Sequence, residues 1–197
     1  MGALPAAKEL VVVAGPNGSG KTTFAQEYLS QHTCTYLSAD SVAKRLSPES
    51  PEKAQLAAGR QFLSELRDAL AGDDSVLIES TLSGRRLAPH LRAAREAGFS
   101  VRIIMLFLDS ADTCVERVQQ RVRKGGHDVP EAEVRRRFDR SIHNFWTVYR
   151  LLADTWLLVY NGNGDFQDIA VGGGTCVVVR DERLFNEFQE LARHARP

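Results

Sequence analysis

Eight residues near the start of the chain have the types and spacing of a phosphate-binding loop. Gly15 to Thr22 match the pattern G-x-x-x-x-G-K-[ST] at every defined position. The glycines of such a loop let backbone N–H groups point at an anion, and Lys21 would reach the outer phosphates of a nucleotide. The Thr22 hydroxyl is a candidate ligand of Mg²⁺. A structural glycine-rich turn would explain the glycines but not the Lys-Thr pair at this offset.

The motif therefore predicts a nucleotide site for ATP or GTP, with Mg²⁺ as cofactor. The predicted nucleotide-binding residues are Gly15, Pro16, Asn17, Gly18, Ser19, Gly20, Lys21, Thr22 and Thr23.

Two carboxylates follow apolar segments in the same way that Gly15 does. Phosphoryl transfer needs a residue that accepts the proton of the attacking hydroxyl, and Asp40 is our candidate for this base. The alternative is that Asp40 only caps a helix predicted for residues 41–46. For Glu79 three roles stay open: holding the acceptor, acting on the metal through a water molecule, or serving as a structural carboxylate at a strand end.

Arginines later in the chain offer further positive charge. Arg121, Arg137 and Arg140 flank a Gly125-Gly126 pair. A glycine hinge suits a lid that closes over a triphosphate and brings guanidinium groups to the transferred phosphate. We therefore predict a lid over residues 117–145. The alternative is that these arginines are solvated or paired with acidic neighbours.

The elements that must position these residues alternate along the chain. Apolar runs predict strands at residues 11–13, 35–38, 76–78, 101–108 and 156–160, with helical patterns between them. This alternation predicts an α/β fold with a doubly wound parallel sheet of about five strands, of the P-loop NTPase type. Ligands bind at the carboxyl ends of such strands, so Gly15, Asp40 and Glu79 should converge on one cleft. A small hairpin, residues 167–171 and 175–180, and a helix over about 182–194 should end the chain.

Composition limits the remaining possibilities. The 197 residues are 43% hydrophobic, enough for one core, and we expect a single domain over residues 1–197. Lys plus Arg equals Asp plus Glu at 25 each, which argues against binding to nucleic acid or membrane. Three cysteines far apart are typical of reduced thiols, and neither a signal peptide nor a membrane span is evident. We expect a cytoplasmic protein.

Several segments together resemble a known family. They are Gly15-Pro16-Asn17-Gly18-Ser19-Gly20-Lys21-Thr22-Thr23, Leu37-Ser38-Ala39-Asp40, Glu79-Ser80-Thr81-Leu82-Ser83-Gly84, Arg121-Val122 with Gly125-Gly126-His127, and Arg136-Arg137-Phe138-Asp139-Arg140-Ser141 with Asn144. In this order, over about residues 11–160, they resemble the zeta-toxin-like P-loop kinases. More narrowly, they are similar to a compact bacterial branch often labelled predicted ATPases.

The resemblance implies a bacterial kinase that uses ATP or GTP. Characterised zeta toxins phosphorylate UDP-N-acetylglucosamine on the sugar and are held inactive by a small helical antitoxin. The resemblance thus implies a nucleotide-sugar acceptor and an antitoxin partner. By position it implies that Lys21 is the loop lysine, Asp40 the catalytic base, Glu79 a substrate-binding acid, and Arg121 and Arg137 the arginines near the γ-phosphate. Thr81 and Arg140 join Asp40 and Glu79 in the predicted substrate-binding set.

Two other interpretations remain open. A kinase for a metabolite, nucleoside or antibiotic would share every catalytic feature and differ only in its acceptor pocket. An ABC-type transporter ATPase is the other, because Leu82-Ser83-Gly84 resembles the signature of those modules. Arg85-Arg86 stand where that signature continues with Gly-Gln, which disfavours this interpretation.

Overall fold

Seven strands form one sheet in the computed structural model, which describes residues 8–126, 128–162 and 164–195. The strands are β1 (Glu9–Ala14), β2 (Thr35–Ser38), β3 (Val76–Ser80), β4 (Ser100–Phe107), β5 (Thr155–Tyr160), β6 (Gln167–Gly173) and β7 (Cys176–Val179). Their spatial order is β2-β3-β1-β4-β5-β6-β7. His127, which belongs to the segments that carry the family resemblance, lies outside the described residues. So do residues 1–7, where no signal peptide is expected.

Helices connect the parallel strands and cover both faces of the sheet. They are α1 (Lys21–Gln31), α2 (Ala39–Leu46), α3 (Gln55–Leu70), α4 (Ala88–Glu96), α5 (Ala111–Arg123), α6 (Glu131–Thr147) and α7 (Glu182–His194), with 3₁₀ turns at Pro51–Ala54 and Tyr149–Leu151. Because both faces are covered, the central strands are mostly apolar, and Leu10 to Ala14 are all buried. The predicted doubly wound α/β fold is confirmed.

The C-terminal hairpin is part of this sheet. β6 pairs antiparallel with β5, and β7 pairs antiparallel with β6. Helix α7 returns over the sheet and packs on α6, where Phe188 meets Phe145 and Trp146 edge to face. The expected parallel sheet thus has five parallel strands and a two-stranded antiparallel extension.

The strands β1, β2 and β3 are paired in a register that places their carboxyl-terminal ends side by side. Glu79 of β3 lies opposite Val13 of β1 and opposite Ser38 of β2. The segments that follow β1 and β2 therefore leave the sheet at the same edge as the Glu79 side chain. Within the part of the chain described, no helix is both long enough and apolar enough to cross a membrane.

Candidate active site

The phosphate-binding loop joins β1 to α1 and is packed tightly against its surroundings. Gly15 has φ +143°, and a Cβ added there would lie 2.3 Å from the Leu106 carbonyl oxygen. At Gly20, with φ +92°, a Cβ would lie 2.4 Å from Nδ2 of Asn161. Only glycine fits either position, so the sequence pattern reflects close backbone contact as well as anion binding.

A short hydrogen-bonded chain fixes the loop from the side of β5. Asn161, which is 5% exposed, donates from Nδ2 to the Ser19 carbonyl oxygen at 3.0 Å. Arg117 of α5 donates from Nη2 to the carbonyl oxygens of Asn161 (2.6 Å) and Gly162 (2.9 Å). Sequence reasoning did not assign Arg117 or Asn161 to the site. The available signal was the position of Asn161, directly after a parallel strand like Asp40.

Lys21 turns back onto its own loop. Its Nζ donates to the Pro16 carbonyl oxygen at 2.8 Å. Burial lowers the pKa of Lys21 to about 8, against the opposing influence of the Glu79 and Asp40 carboxylates. Helix α1 begins at Lys21 with no acidic residue in its first turn and no side-chain cap. No acidic residue of α1 itself offsets its positive end, which suits an anion.

Glu79 joins two hydroxyl groups at the edge of the sheet. One carboxylate oxygen accepts a hydrogen bond from Thr22 Oγ1 at 2.9 Å, and the other accepts one from the Tyr36 hydroxyl. Burial and the bond to Glu79 raise the pKa of Tyr36 to about 12. Tyr36 is a site residue that sequence reasoning missed, because its contact depends on β2 lying next to β3.

The pair of Thr22 and Glu79 fits Mg²⁺ that arrives with a nucleotide. Mg²⁺ prefers oxygen ligands and usually takes one or two protein ligands, with phosphates and waters completing its shell. Among the described residues there is no cluster of three or more His, Cys, Asp or Glu side chains that would hold a metal by itself. The donor set therefore suits a shared protein–phosphate site.

Asp40 is not a helix cap. Helix α2 is capped by Ser38, whose Oγ accepts from the Ser41 N–H at 3.1 Å, and Asp40 is the second residue of the helix. The capping alternative is therefore wrong. The Asp40 side chain is exposed in the cleft. It is close enough to Lys21 that its charge opposes the lowering of the lysine pKa by burial. It is available for chemistry.

A cleft of about 740 Å³ collects most of the predicted site residues. Those that line it are Asn17, Gly18, Gly20, Lys21, Thr22, Thr23, Asp40, Glu79, Thr81, Arg121 and Arg137. Gly15, Pro16 and Ser19 belong to the loop but not to the lining. Arg140, half-buried on α6, also lies outside the lining.

Two arginines of α6 share one carboxylate in the cleft. Glu133 Oε1 accepts from Arg137 Nε and from Arg136 Nη2, both at 2.6 Å. These bonds, that from Arg136 foremost, lower the pKa of Glu133 to about 2. Arg136 was not among the predicted site residues, although its i+3 spacing from Glu133 was visible in the sequence. Arg137 is thus paired with an acidic neighbour, as the alternative interpretation expected, and the pair lies inside the cleft.

A family model and one curated relative match the sequence. The model, AAA_33, is described as an AAA domain and matches residues 10–141. An uncharacterized protein of Haemophilus influenzae is 28% identical over 128 residues, which are 65% of this chain and 91% of that protein.

Solved structures show the same fold at low sequence identity. A chain of the AvrRxo1-ORF1:-ORF2 complex with ATP superposes with a TM-score of 0.70 and 16% identity, over 93% of this chain and 64% of that one. A chain of the PezAT toxin-antitoxin system of Streptococcus pneumoniae superposes with a TM-score of 0.64 and 12% identity, over 99% of this chain and 82% of that one. A gluconokinase from Sinorhizobium meliloti superposes with a TM-score of 0.52 and 17% identity, over 96% of this chain and 94% of that one. This chain thus spans less than two thirds of the AvrRxo1 chain.

Proposed function

Because this chain belongs to the AAA domain family and has the fold of the P-loop kinases, we propose that it is a small-molecule kinase. It would transfer the γ-phosphoryl group of ATP or GTP to a hydroxyl group. The observation that carries this proposal is that three kinds of group line one cleft. They are a phosphate-binding lysine, a hydroxyl–carboxylate pair, and a second carboxylate that can accept a proton. Those groups are Lys21, Thr22 with Glu79, and Asp40.

The proposed reaction is a direct displacement at the γ-phosphorus atom. The acceptor oxygen forms a bond to phosphorus, the bond from phosphorus to the β–γ bridging oxygen breaks, and the nucleoside diphosphate leaves. The proton of the acceptor hydroxyl goes to the Asp40 carboxylate. Lys21 exchanges the Pro16 carbonyl oxygen for phosphate oxygens. Thr22 and Glu79 would hold Mg²⁺, whose charge would offset that of the phosphates.

The arginines complete the proposed machinery from the opposite side. We assign Arg121 and Arg137 to the transferred phosphate, since both line the cleft. Residues 117–145 act in this proposal as the lid of one domain spanning residues 1–197. Thr81 lines the cleft and is assigned to the acceptor. Arg140 does not line the cleft and stays a proposed substrate-binding residue of the lid.

Two acceptor classes are supported by different similarities. A nucleotide sugar such as UDP-N-acetylglucosamine is favoured by the zeta-toxin-like motifs of the sequence. A smaller metabolite is the second candidate, because the gluconokinase superposes over 94% of its own length. An antitoxin partner belongs to the first alternative only, since PezAT is a toxin-antitoxin system. In either case we propose that the protein works in the cytoplasm.

Mass spectrometry of reaction mixtures tests the kinase proposal. The protein would be incubated with Mg²⁺, ATP or GTP, and a panel of nucleotide sugars, nucleosides, sugar acids and aminoglycosides. We expect one acceptor to gain the mass of a single phosphate. Lys21→Ala should abolish the product, and Asp40→Asn should slow its formation by about 10²- to 10⁴-fold.

Lys44→Ala is the matched control, because Lys44 is an exposed lysine of α2 outside the cleft. Its product yield should equal that of the wild type. Nucleotide hydrolysis with no acceptor modified would contradict the kinase proposal and favour an ATPase. Unchanged transfer by Asp40→Asn would remove Asp40 from the role of base.

A further inference from the structure

The cleft extends beyond the phosphate-binding loop into a second region, here called the acceptor lobe. It is lined by Leu56, Gly59 and Leu63 of α3 and by the loop of residues 81–86. None of these residues belongs to the phosphate-binding loop or to α1, so this lobe is additional to the site for the nucleotide phosphates. The features of its two walls indicate what it binds.

The wall from α3 has an apolar surface with a gap. Leu56 is 67% exposed, although it is a large apolar side chain. Gly59 lies inside the 16-residue helix α3, where glycine is less stable than alanine, yet a Cβ at this position would meet nothing within 4 Å. Packing within the protein does not require this glycine. The missing side chain instead leaves room in the lobe for the body of a ligand.

The second wall is a strained loop held from α6 and from the 3₁₀ turn that follows it. Leu82 has φ +53°, the one positive φ of a non-glycine residue in the described parts of the chain, and is 1% exposed. Its carbonyl oxygen accepts from Asn144 Nδ2 at 2.8 Å, and the Gly84 carbonyl oxygen accepts from the Tyr149 hydroxyl at 2.6 Å. Backbone strain of this kind persists where the surroundings enforce it and is concentrated at functional sites.

This strained loop presents two arginines to the lobe. Arg85 and Arg86 are exposed and line the cleft. Neither forms an ion pair within residues 8–126, 128–162 and 164–195, unlike Arg136 and Arg137, which share Glu133. A guanidinium group binds carboxylate or phosphate oxygens in a planar, two-point geometry. The lobe therefore combines an apolar wall with positive charge that has no protein counter-ion there.

We propose that the acceptor lobe selects an anionic acceptor. Its phosphate or carboxylate group would bind Arg85 and Arg86, and its uncharged body would fill the gap at Gly59 against Leu56. The hydroxyl to be phosphorylated would then point along the cleft towards Asp40. This inference rests on the proposed kinase function and narrows its substrate class to anions.

Calorimetric binding of matched probe pairs tests the inference without turnover. The nucleotide site would first be filled with a non-hydrolysable ATP analogue, whose own affinity reports on the proposed function separately. The probes are N-acetylglucosamine 1-phosphate against N-acetylglucosamine, for phosphate, and gluconate against glucose, for carboxylate. We expect one charged probe to bind at least about 10-fold more tightly than its neutral partner. The pair that shows this difference identifies the anionic group.

The double variant Arg85→Gln/Arg86→Gln should remove this preference and leave the affinity for the ATP analogue unchanged. Arg92→Gln is the matched control, because Arg92 is an exposed arginine of α4 outside the cleft. The inference is overturned if no charged probe binds better than its neutral partner, or if the preference survives in the double variant. Failure of the analogue to bind would instead contradict the proposed function.

Gly59→Leu tests the gap independently of charge. Leucine is a better helix former than glycine, so the melting temperature should rise by about 1–3 °C while the charged probe loses at least about 10-fold in affinity. Ala57→Leu adds bulk to an exposed position of α3 outside the cleft and should leave probe binding unchanged. A merely structural role for Gly59 would make stability and binding change together. Unchanged probe binding by Gly59→Leu would overturn the assignment of the gap.

Discussion

The two sides of the cleft are held in place by different interactions. The phosphate-binding loop is fixed by backbone packing at Gly15 and by the buried bond from Asn161 to the Ser19 carbonyl oxygen. On the lid side, Arg136 and Arg137 are held by Glu133, with side chains that are 51%, 23% and 26% exposed. The loop side is therefore built into the core, whereas the lid side is built on partly solvated ion pairs.

This difference indicates which side can change partners when a nucleotide binds. Partly exposed ion pairs contribute little to stability, so a phosphate can replace Glu133 at the arginines at low cost. The loop cannot rearrange in this way, because its neighbours leave no space. We expect substitutions on the loop side to affect folding and binding, and substitutions on the lid side to affect turnover.

Gly15→Ala should have the largest effect. The new Cβ would overlap the Leu106 carbonyl oxygen at a φ that alanine avoids, so we expect a loss of at least about 3 kcal/mol in the free energy of unfolding. Nucleotide binding should be lost with it. Urea denaturation and calorimetry measure the two effects.

Gly72→Ala is the control for this substitution, because a Cβ at Gly72 makes an ordinary contact of 3.4 Å with the Ala69 carbonyl oxygen. Its free energy of unfolding should change by less than about 1 kcal/mol. A Gly15→Ala protein as stable as Gly72→Ala would show that the loop side is more adaptable than its packing indicates.

Arg137→Gln should act on turnover. If the arginine stabilises charge that develops on the transferred phosphate, kcat should fall by about 10²- to 10³-fold with little change in nucleotide affinity. Arg135→Gln is the matched control, since Arg135 lies on the same helix and pairs with Asp112 and Glu131 outside the cleft. Equal kinetics in the two variants would remove Arg137 from the catalytic set.

Asn161→Ala probes the link between the sheet and the loop. It leaves the buried Ser19 carbonyl oxygen without its partner, which should cost about 1–3 kcal/mol in the free energy of unfolding and weaken nucleotide binding. Arg117 bonds to the main chain of Asn161 and is retained. Asn186→Ala, at an exposed position of α7, should be neutral in the same denaturation assay. An Asn161→Ala protein with wild-type stability and affinity would show that the loop does not need this anchor.

The sequence was most informative where a motif coincides with a strand end. The loop, Asp40 and Glu79 could be placed in one cleft because parallel strands finish at the same edge. Tyr36 could not be assigned, since its contact depends on which strands are neighbours in space, whereas Asn161 follows a strand end and could have been assigned from that position. The hairpin was predicted, but its pairing with β5 is a long-range contact that local patterns do not encode.

For the lid arginines too, the sequence could not predict which side chains line the cleft. Helical spacing places Arg137 and Arg140 on related faces, yet only Arg137 lines the cleft. Arg136, on a neighbouring face, also lines it, because its side chain follows Glu133. Long flexible side chains are directed by their ion-pair partners as much as by their position on a helix.

The smallest predicted effect concerns the proton on Lys21. Burial lowers its pKa from 10.5 to about 8, so in the ligand-free protein it opposes folding at neutral pH, and this penalty fades as the pH rises from about 8 towards 10.5. Phosphate charge beside the ammonium group should raise the pKa again. Nucleotide binding at pH 8 should therefore take up as much as about 0.5 proton, and the part due to Lys21 should vanish near pH 6.

Calorimetric titrations in two buffers of different ionisation enthalpy measure this uptake. Lys21→Arg is the matched control, because its guanidinium group keeps its proton throughout this range and should show no uptake from this position. Equal proton uptake at pH 8 by the wild type and Lys21→Arg would mean that the loop lysine is already fully protonated. The loop side would then be prepared for phosphate in charge as well as in shape, and nucleotide binding would have to displace only the Pro16 carbonyl oxygen from Lys21.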